Sequence, residues 1–550
     1  MPRRLLALLA AAAALLAVGS ARAASVCSTS CYQAPAGSGP LFMFSGHGWG
    51  HGIGMSQYGA YGYALHGWSF QQILAHYYPG TALSSTAGAP IRVLLADRKK
   101  KLTISSTVPF TVTDGTGRTT TLAAGPVSFG PELALAAGGQ ALTAPLTFQA
   151  GAGGPLSLTR PYRGQIQVDV VDGKLRAVNI VPLEQYLYGV VPAEMPSTWA
   201  PEALKAQAVA ARSYALATRL AAAPFDVYSD TRSQMYLGLS VESPALSAAV
   251  DATKHQVVMF NGKVATTYFS SSSGGETISI ADAWGVAPTP YLIAVADPYD
   301  SISPYHNWGP VPVTAQKIGA ALKVQGSIMD ASTTLNGSGR VNVLNLLMLP
   351  PFGAMTQTAV PAGTVEGALG LRSTWFNVGI LSLVPSAASV PIPYGSSIQL
   401  TGLVRGVAGV SLEARPVAGT WQPVGPIATA ADGTVQLTEQ PQITTDYRLA
   451  TASAAAAYVR VKVTPAVQLS STPTPGAVTG TEQPVLPAAP VTVQQQGSDG
   501  KWTIVATGAV ADDGSFSVPV QLTAGSTYRV VVAPGSGWWP ATTASLTAVG

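Results

Sequence analysis

The stretch VPLEQYLYGVVPAEMPSTWAPEALKAQAVAARSYALATRLAAAP, residues 181–224, is where the chain changes its rhythm. Before it, residues 91–181 read as strands: IRVLLA, TVPFTVTDGTG, PLTFQAG and QIQVDVVDGKLRAVNIV alternate apolar and polar residues around Asp-Gly turns. Within it, Pro201 stands at a helix start and Glu202 in the first turn suits the helix dipole. An alanine-rich run follows with no breaker before Pro224, so a long helix is expected from Pro201. A β-rich part joined to helices, an α+β domain, is the fold class this predicts.

On that helix Lys205, Arg212 and Arg219 recur every seven residues, drifting only ~20° per heptad, and so form one cationic stripe. Such a stripe is usually a solvated face. Here the rest of the helix is mostly alanine and should be buried, so Lys205, Gln207 and Arg212 are expected to hold an anion or a carboxylate. Glu194, on the Pro-flanked turn VVPAEMP, is the first candidate for that carboxylate, and Glu184 in the echoing VPLE competes with it. Val190, Val191, Met195 and Trp199 would raise the Glu194 pKa by desolvation, whereas a nearby cation would lower it.

Upstream of the strands, GHGWGHGIGMSQYGAYGYALHGW, residues 46–68, places glycine at every second position from 46 to 54. His47 and His51 have the spacing of a helical metal pair, but each of those glycines would cost a helix about 1 kcal/mol relative to alanine. An extended or looped backbone fits instead, open to close approach by a ligand or another chain segment. Ala60, Ala64 and Leu65, then Phe70, Ile73 and Leu74, follow a helical period, with Gly67 as a break and Pro79-Gly80 as a stop. The prediction is a glycine loop feeding two short helices. Two readings of the loop stay open, a tight turn buried against another part of the protein and a binding cleft.

Residues 1–23 read as an export leader: Arg3-Arg4, an apolar run from Leu5 to Val18, and Ala21-Arg22-Ala23 as a small-x-small cleavage site. No later apolar stretch approaches the ~20 residues that cross a bilayer, so a secreted or wall-associated protein is expected. Cys27 and Cys31 are the only cysteines, and a small disulfide loop within residues 24–40 is expected of an exported chain. Two thiols cannot close a structural zinc site, and no metal is predicted. The formal charge is +4, with Arg3, Arg4 and Arg22 lying in the leader, which argues against nucleic acid as a partner.

The tail contains an internal repeat. Val410, Trp421, Asp432-Gly433 and Tyr447-Arg448 recur as Val491, Trp502, Asp513-Gly514 and Tyr528-Arg529, each displaced by 81 positions. Short alternating runs between Asp-Gly turns predict two all-β sandwich-like units, over 385–465 and 466–550, following a domain over 41–384. Linkers are read at Val384–Ala387 and Ser471–Pro475. Neither unit offers a catalytic constellation, so spacer or wall-binding modules are the plain reading.

The residues of the long domain carry a family resemblance. YRGQIQV, AVNIVPLEQYLYGVVPAEMPSTWAPEALKAQAVAARSYAL, YFSSSSGGETISIADAWGVAPTPYLIAVADPYD, GSGRVNVLNLL and ALGLRSTWF closely resemble the SpoIID/LytB family, of sporulation stage II protein D and the amidase enhancer. The glycine-histidine stretch also resembles that family, but there it usually follows LGLRSTWF, whereas here it precedes the strands. A permuted domain is implied, in which segment 46–81 packs back against the helix bearing Glu194 and completes one cleft. The leader, the tail and residues 82–159 carry none of the family's sharp motifs.

The resemblance implies a lytic transglycosylase, cutting peptidoglycan glycan strands between N-acetylmuramic acid and N-acetylglucosamine to leave 1,6-anhydro ends. The family's catalytic acid, the glutamate of VPxEMP, falls on Glu194, and no cofactor is implied. Beyond it the expected substrate-binding residues are Lys205, Gln207, Arg212, Ser272, Ser273, Gly274, Gly275, His47, His51 and Gln57. The run Ser270–Ser273 with Gly274-Gly275 reads equally as a sugar-lining loop or a turn joining strands. Trp284, Tyr291, Trp308, Trp49 and Tyr58 could stack on sugars, although most aromatics serve cores. Some members bind zinc near this loop through cysteines and histidines; with serines at 270–273 that feature does not transfer. The amidase-enhancer branch implies the alternative, a non-catalytic wall-binding partner of a cell-wall amidase.

Overall fold

The computed structural model describes residues 27, 31–135, 139–220, 222–350, 353–385, 390–470 and 476–548. The expected leader, the Ser386-Ala387 part of one linker and the Ser471–Pro475 linker lie outside them. The described chain is rich in strands and contains eight α-helices, an α+β arrangement. Among the described residues no helix is long and apolar enough to cross a membrane.

A seven-stranded sheet runs in the order Val227–Tyr228, Pro90–Lys99, Lys174–Pro182, Gln165–Val171, Leu146–Ala150, Phe110–Thr113, Thr119–Leu122. Its alternating apolar residues, among them Val93, Ile166, Val168 and Ala177, enter one core with the first helices. The strand Lys174–Pro182 passes directly into α3, Leu183–Glu194, which carries Pro192 in its last turn and ends on Glu194 itself. Pro201 then opens α4, Pro201–Ala217, as its position predicted.

Helix α4 is the hub of the domain. It packs against α1 (Gln57–Leu65), α2 (Phe70–Tyr77), α3 and α5 (Pro244–Ala252), and its alanines are buried on nearly every side. Small side chains are what allow four neighbouring helices to crowd one axis. The two predicted short helices are present, α1 capped by Ser56 and α2 by a Ser69–Gln72 capping box.

The cationic stripe does not act as a unit. Arg212 is fully buried and donates to Glu184 through Nε at 3.2 Å and Nη2 at 2.5 Å, and to the carbonyls of Val250 and Gln256. Lys205 pairs with Glu202 on its own helix at 2.7 Å, and Arg219 donates to the Pro90 carbonyl. Heptad spacing aligned these cations, but α3, α4 itself and the strand Pro90–Lys99 supply three different partners. Glu184, which also accepts from the His255 N–H, is thereby committed to holding α3, α4 and the segment after α5 together.

The N-terminal segment threads through the molecule. Leu41–His47 lies between Asn307–Thr314 and Phe376–Pro385 in a sheet that continues to Ile398–Arg405 and Thr434–Glu439. Gly46 is paired with Phe376, the last residue of the LGLRSTWF stretch. The strand from Phe376 runs through residue 385 and pairs with the first tail unit, so one sheet crosses the 384/385 boundary read from sequence. Tyr32-Gln33 joins Ala454-Ala455 of that unit, next to the Cys27–Cys31 disulfide.

In the tail, Ser411–Pro416 pairs with Gln422–Pro426 and Thr445–Ala450; Pro490–Gln496 pairs likewise with Trp502–Ala509 and Thr527–Val532. In the second unit, Val478 and Val518 of one sheet meet Val491, Val493 and Val530 of another in a single core.

Removing one partner of a buried ion pair leaves the other charged and unpaired, a loss of about 3–5 kcal/mol. Arg212→Ala is therefore expected to lower unfolding stability by that amount in urea denaturation. Arg212→Leu combined with Glu184→Leu should recover most of it; a single variant as stable as the parent contradicts the assignment.

Candidate functional site

Glu194 lines an open cleft of about 380 Å³ together with His51, Tyr214, Gln234, Tyr268 and Trp284, and with Thr231, Ser233, Met235 and Phe269. Among the described residues no other carboxyl group lines it. Burial pushes the Glu194 pKa above its ordinary value, and a hydrogen bond from Gln57 Nε2 to Oε2, 3.0 Å long, works against that rise. Gln57 is the first residue of α1, directly after the glycine loop. The N-terminal segment thus reaches Glu194 by a direct contact.

His51 enters the same cleft from the loop. Its Nδ1 accepts from the Ile53 N–H at 3.0 Å, and its ring meets Trp284 and Tyr268 edge-on. Burial, aided by the charge of Arg340, lowers its pKa to about 4, so it is a neutral imidazole at physiological pH. Tyr214 stands on α4 seven residues after Gln207, and Tyr268 packs on Trp284 at 4.9 Å.

The glycine loop is laid against another part of the protein, as the first of its two readings expected, and of its residues His51 lines the cleft. Trp49 bridges Ser272, Met55-Ser56 pairs with Phe269-Ser270, and Ile53 bridges Ile278. At Gly48, whose φ is +74°, a Cβ would lie 2.7 Å from the Ser272 carbonyl oxygen; at Gly274 one would lie 2.6 Å from the Gly48 nitrogen. Two backbones are laid directly on each other, and only glycine permits it.

At residues 272–274 the sugar-lining reading is corrected by burial. Ser272 and Ser273 are 0% and 1% exposed. Ser272 Oγ donates to Asp300, and Ser273 Oγ donates to Asp297 at 2.7 Å. Asp300, itself wholly buried, also accepts from Ser56 Oγ, from the N–H groups of Ser273 and Gly274, and faces His306 Nδ1 at 3.1 Å. Asp297 accepts from Tyr77 of α2, and its pKa is pushed up to about 7, by burial first and the charge of Asp300 second. Buried Arg340 donates to the Ser273 and Glu276 carbonyls from the other side. None of Ser272, Ser273, Gly274 or Gly275 lines the cleft.

Other expected site residues are also placed elsewhere. Lys205 and Arg212 are occupied as described above. Gln207 is fully buried, and its side-chain amide makes no hydrogen bond among the described residues. His47 packs on Trp375, 4.9 Å away, and does not line the cleft. Tyr291 and Trp308 are buried in two separate cores. Trp284, 46% exposed, lines the cleft, while Trp49 and Tyr58 join a row of rings outside it. Tyr214, Gln234 and Tyr268 were missed by sequence reading. Only Tyr214 left a signal, its helical register with Gln207. Among the described residues no cluster of His, Cys, Asp or Glu could hold a metal.

Residues 171–260 match the family model of the stage II sporulation protein, SpoIID. An uncharacterized protein of Brachyspira hyodysenteriae is 42% identical over 134 residues, 24% of this chain and 36% of its own length. The amidase enhancer of Bacillus subtilis is 42% identical over 114 residues, 21% of this chain and 15% of its own. Stage II sporulation protein D of Bacillus amyloliquefaciens is 30% identical over 183 residues, 30% and 53% of the two chains. The chain thus spans about half or less of these relatives. A tetra-tandem repeat from the extending region of a large adhesion protein covers 84% of the chain at 12% identity, with a TM-score of 0.18, too low to carry an argument about fold.

The Gln57 hydrogen bond favours the charged form of Glu194, so its loss must raise the pKa further. In a ¹³C NMR titration of the glutamate carboxyls, Glu194 should titrate above an ordinary glutamate, and higher still in Gln57→Leu. A lower midpoint in that variant contradicts the contact.

Proposed function

This chain belongs to the SpoIID/LytB family, and from that premise we propose that it is an exported cell-wall enzyme. It cleaves peptidoglycan glycan strands without water, between N-acetylmuramic acid and N-acetylglucosamine, leaving 1,6-anhydro ends. The observation that carries this reading is the lone carboxyl group of Glu194, half-buried in an aromatic-lined cleft with its pKa raised.

Ordinary glycosidases work with two carboxyl groups, one as acid and one to activate water or to form a covalent intermediate. A cleft with a single carboxyl group suits an intramolecular displacement. Protonated Glu194 gives its proton to the glycosidic oxygen as the bond from C1 breaks. The carboxylate so formed takes the proton of the muramyl C6 hydroxyl as that oxygen closes on C1, and the acid is restored. Burial keeps a larger fraction of Glu194 protonated than in an exposed glutamate, and Gln57 steadies the carboxylate once it forms. His51, neutral and oriented by the Ile53 N–H, offers a hydrogen-bonding group without competing as an acid. Tyr268 and Trp284 offer flat apolar faces to pyranose rings. The reaction asks for no metal or cofactor.

A second reading is favoured by the 42% identity to a protein named amidase enhancer. On it the same cleft holds the glycan without cutting it, and a cell-wall amidase is the partner.

Mass spectrometry of the soluble products released from purified glycan strands tests the choice. The unmutated protein should yield anhydro-muramyl ends, and Glu194→Gln should lower their rate by at least about a hundredfold, the scale of one general acid, while still binding glycan. Equal rates in both would remove Glu194 from the chemistry. Binding with no cleavage by either would favour the enhancer reading.

A further inference from the structure

The two copies of the tail repeat differ in what closes them. In the first unit the strand Ala454-Ala455 has Tyr32-Gln33 of the N-terminal segment paired parallel along its outer edge. The Tyr32 and Ala34 N–H groups donate to the Ser453 and Ala455 carbonyls. The same segment covers the outer face of the sheet: the Cys27 N–H donates to Glu413, and Arg448 donates to Glu413 and to the Gln33 side chain. Glu413, Arg448, Ala450 and Ala455 are all buried there.

The second unit repeats this edge without the covering segment. Thr542 pairs with Val531 as Ala455 pairs with Ala450, and the Thr543 N–H donates to the Val530 carbonyl as the Ala456 N–H does to that of Leu449. Ladder alternation therefore turns the Thr542 N–H and C=O outward, as it turns those of Ala455. Among the described residues no strand pairs with that outer edge. Thr542 instead lines a groove of about 550 Å³, together with Trp539, Pro540, Pro393, Pro465 and Val467.

The charges change with the covering. Arg529 repeats Arg448 and Trp502 repeats Trp421, with guanidinium and indole centroid 4.3 Å apart in the second unit and 3.9 Å in the first. Across the sheet, however, Gln494 stands where the first unit has Glu413, and Thr527 where it has Asp446. Arg529 donates to the neutral Gln494 Oε1 at 2.8 Å and forms no ion pair among the described residues. Lys462, 3.9 Å from the Trp539 centroid, forms none either. Two cations without a carboxylate thus flank the open edge.

We propose that the Ala541-Thr542 edge docks an extended segment of a partner protein, added as a parallel strand in the groove and bearing an Asp or Glu where the first unit receives Gln33. An open edge offers backbone hydrogen bonds to any strand, so selection falls to the side chain. Gln33 meets Arg448 in the first unit, and at the same register an acidic side chain meets Arg529. The chain's own N-terminal segment is not that strand: CSTSCYQAP, residues 27–35, carries no acid and already closes the first unit. The docking makes no use of the Glu194 cleft.

The test is fluorescence anisotropy of labelled peptides titrated with the full mature chain. The probes share one scaffold, residues 31–36 with Cys31→Ser. The first carries Gln33→Glu, the second keeps Gln33, and the third is the first with its Ala34 amide N-methylated, which removes the donor to the Thr542 carbonyl. The first should bind saturably and about tenfold or more tightly than the second, the scale of a charge-assisted hydrogen bond. The third should bind more weakly than the first. Arg529→Gln should bring the first to the level of the second and leave the second unchanged. The N-methylated probe tests the edge on the unmutated protein, so the result does not hang on how well Arg529→Gln folds. Equal binding of the first and second would give the edge to the N-terminal segment of a second copy and overturn the acidic-partner assignment. No saturable binding of the first, or no loss on N-methylation, would overturn the docking itself.

Discussion

The buried carboxylate of Asp300 is the point on which the site depends. It gathers hydrogen bonds from Ser56 at the end of the glycine loop and from Ser272, Ser273 and Gly274 of the serine loop. A fully buried carboxylate is tolerated only when its oxygens are satisfied, and here the donors come from parts of the chain more than two hundred residues apart in sequence. Because Ser56 is also the N-cap of α1, holding its hydroxyl fixes where that helix begins. Gln57 follows at once and meets Glu194. The contact at the candidate acid is therefore the outer end of a chain of constraints anchored at Asp300.

The glycines make that anchor attainable. A side chain at Gly48 or Gly274 would force the two loops apart, since the nearest backbone atoms leave no room for a Cβ. Gly52 is tight for another reason: a Cβ there would lie 2.6 Å from Arg340, the residue that holds the carbonyls of the same serine loop. Separation of the loops would release Ser56 and with it the register of α1. The strand Leu41–His47, paired with Phe376–Pro385, delivers the loop to this position from the opposite end of the chain order.

Residue spacing revealed directions better than partners. The helix from Pro201, the pair of short helices after the glycine loop and the strand-rich half were legible because period and punctuation are local properties. Glu194 was singled out by its motif, and the rise in its pKa has the cause expected of it, burial. Arg212 does hold a carboxylate, but it is the competing Glu184 and not Glu194 or a substrate, because a heptad stripe states only that side chains share a face and the packing of α3 selects which carboxylate meets it. The serine loop was ambiguous for a related reason, since Ser and Gly suit both a sugar-lining wall and a buried crossing. The decisive residues, Asp297 and Asp300, lie in ADPYD, where nothing local marks a buried acceptor. Gln234 and Tyr268 reach the cleft only through tertiary packing, which leaves no period to read.

The central claim is that a glycan strand crosses Glu194, with the glycine-loop helix on one side and Trp284 and Tyr268 on the other. The most direct measurement is a crystal structure of the Glu194→Gln protein with a peptide-free muramyl oligosaccharide. A bridging glycosidic oxygen within about 3 Å of the residue 194 side chain is the predicted result. A strand bound on the tail units or elsewhere, with the cleft holding only solvent, would contradict it.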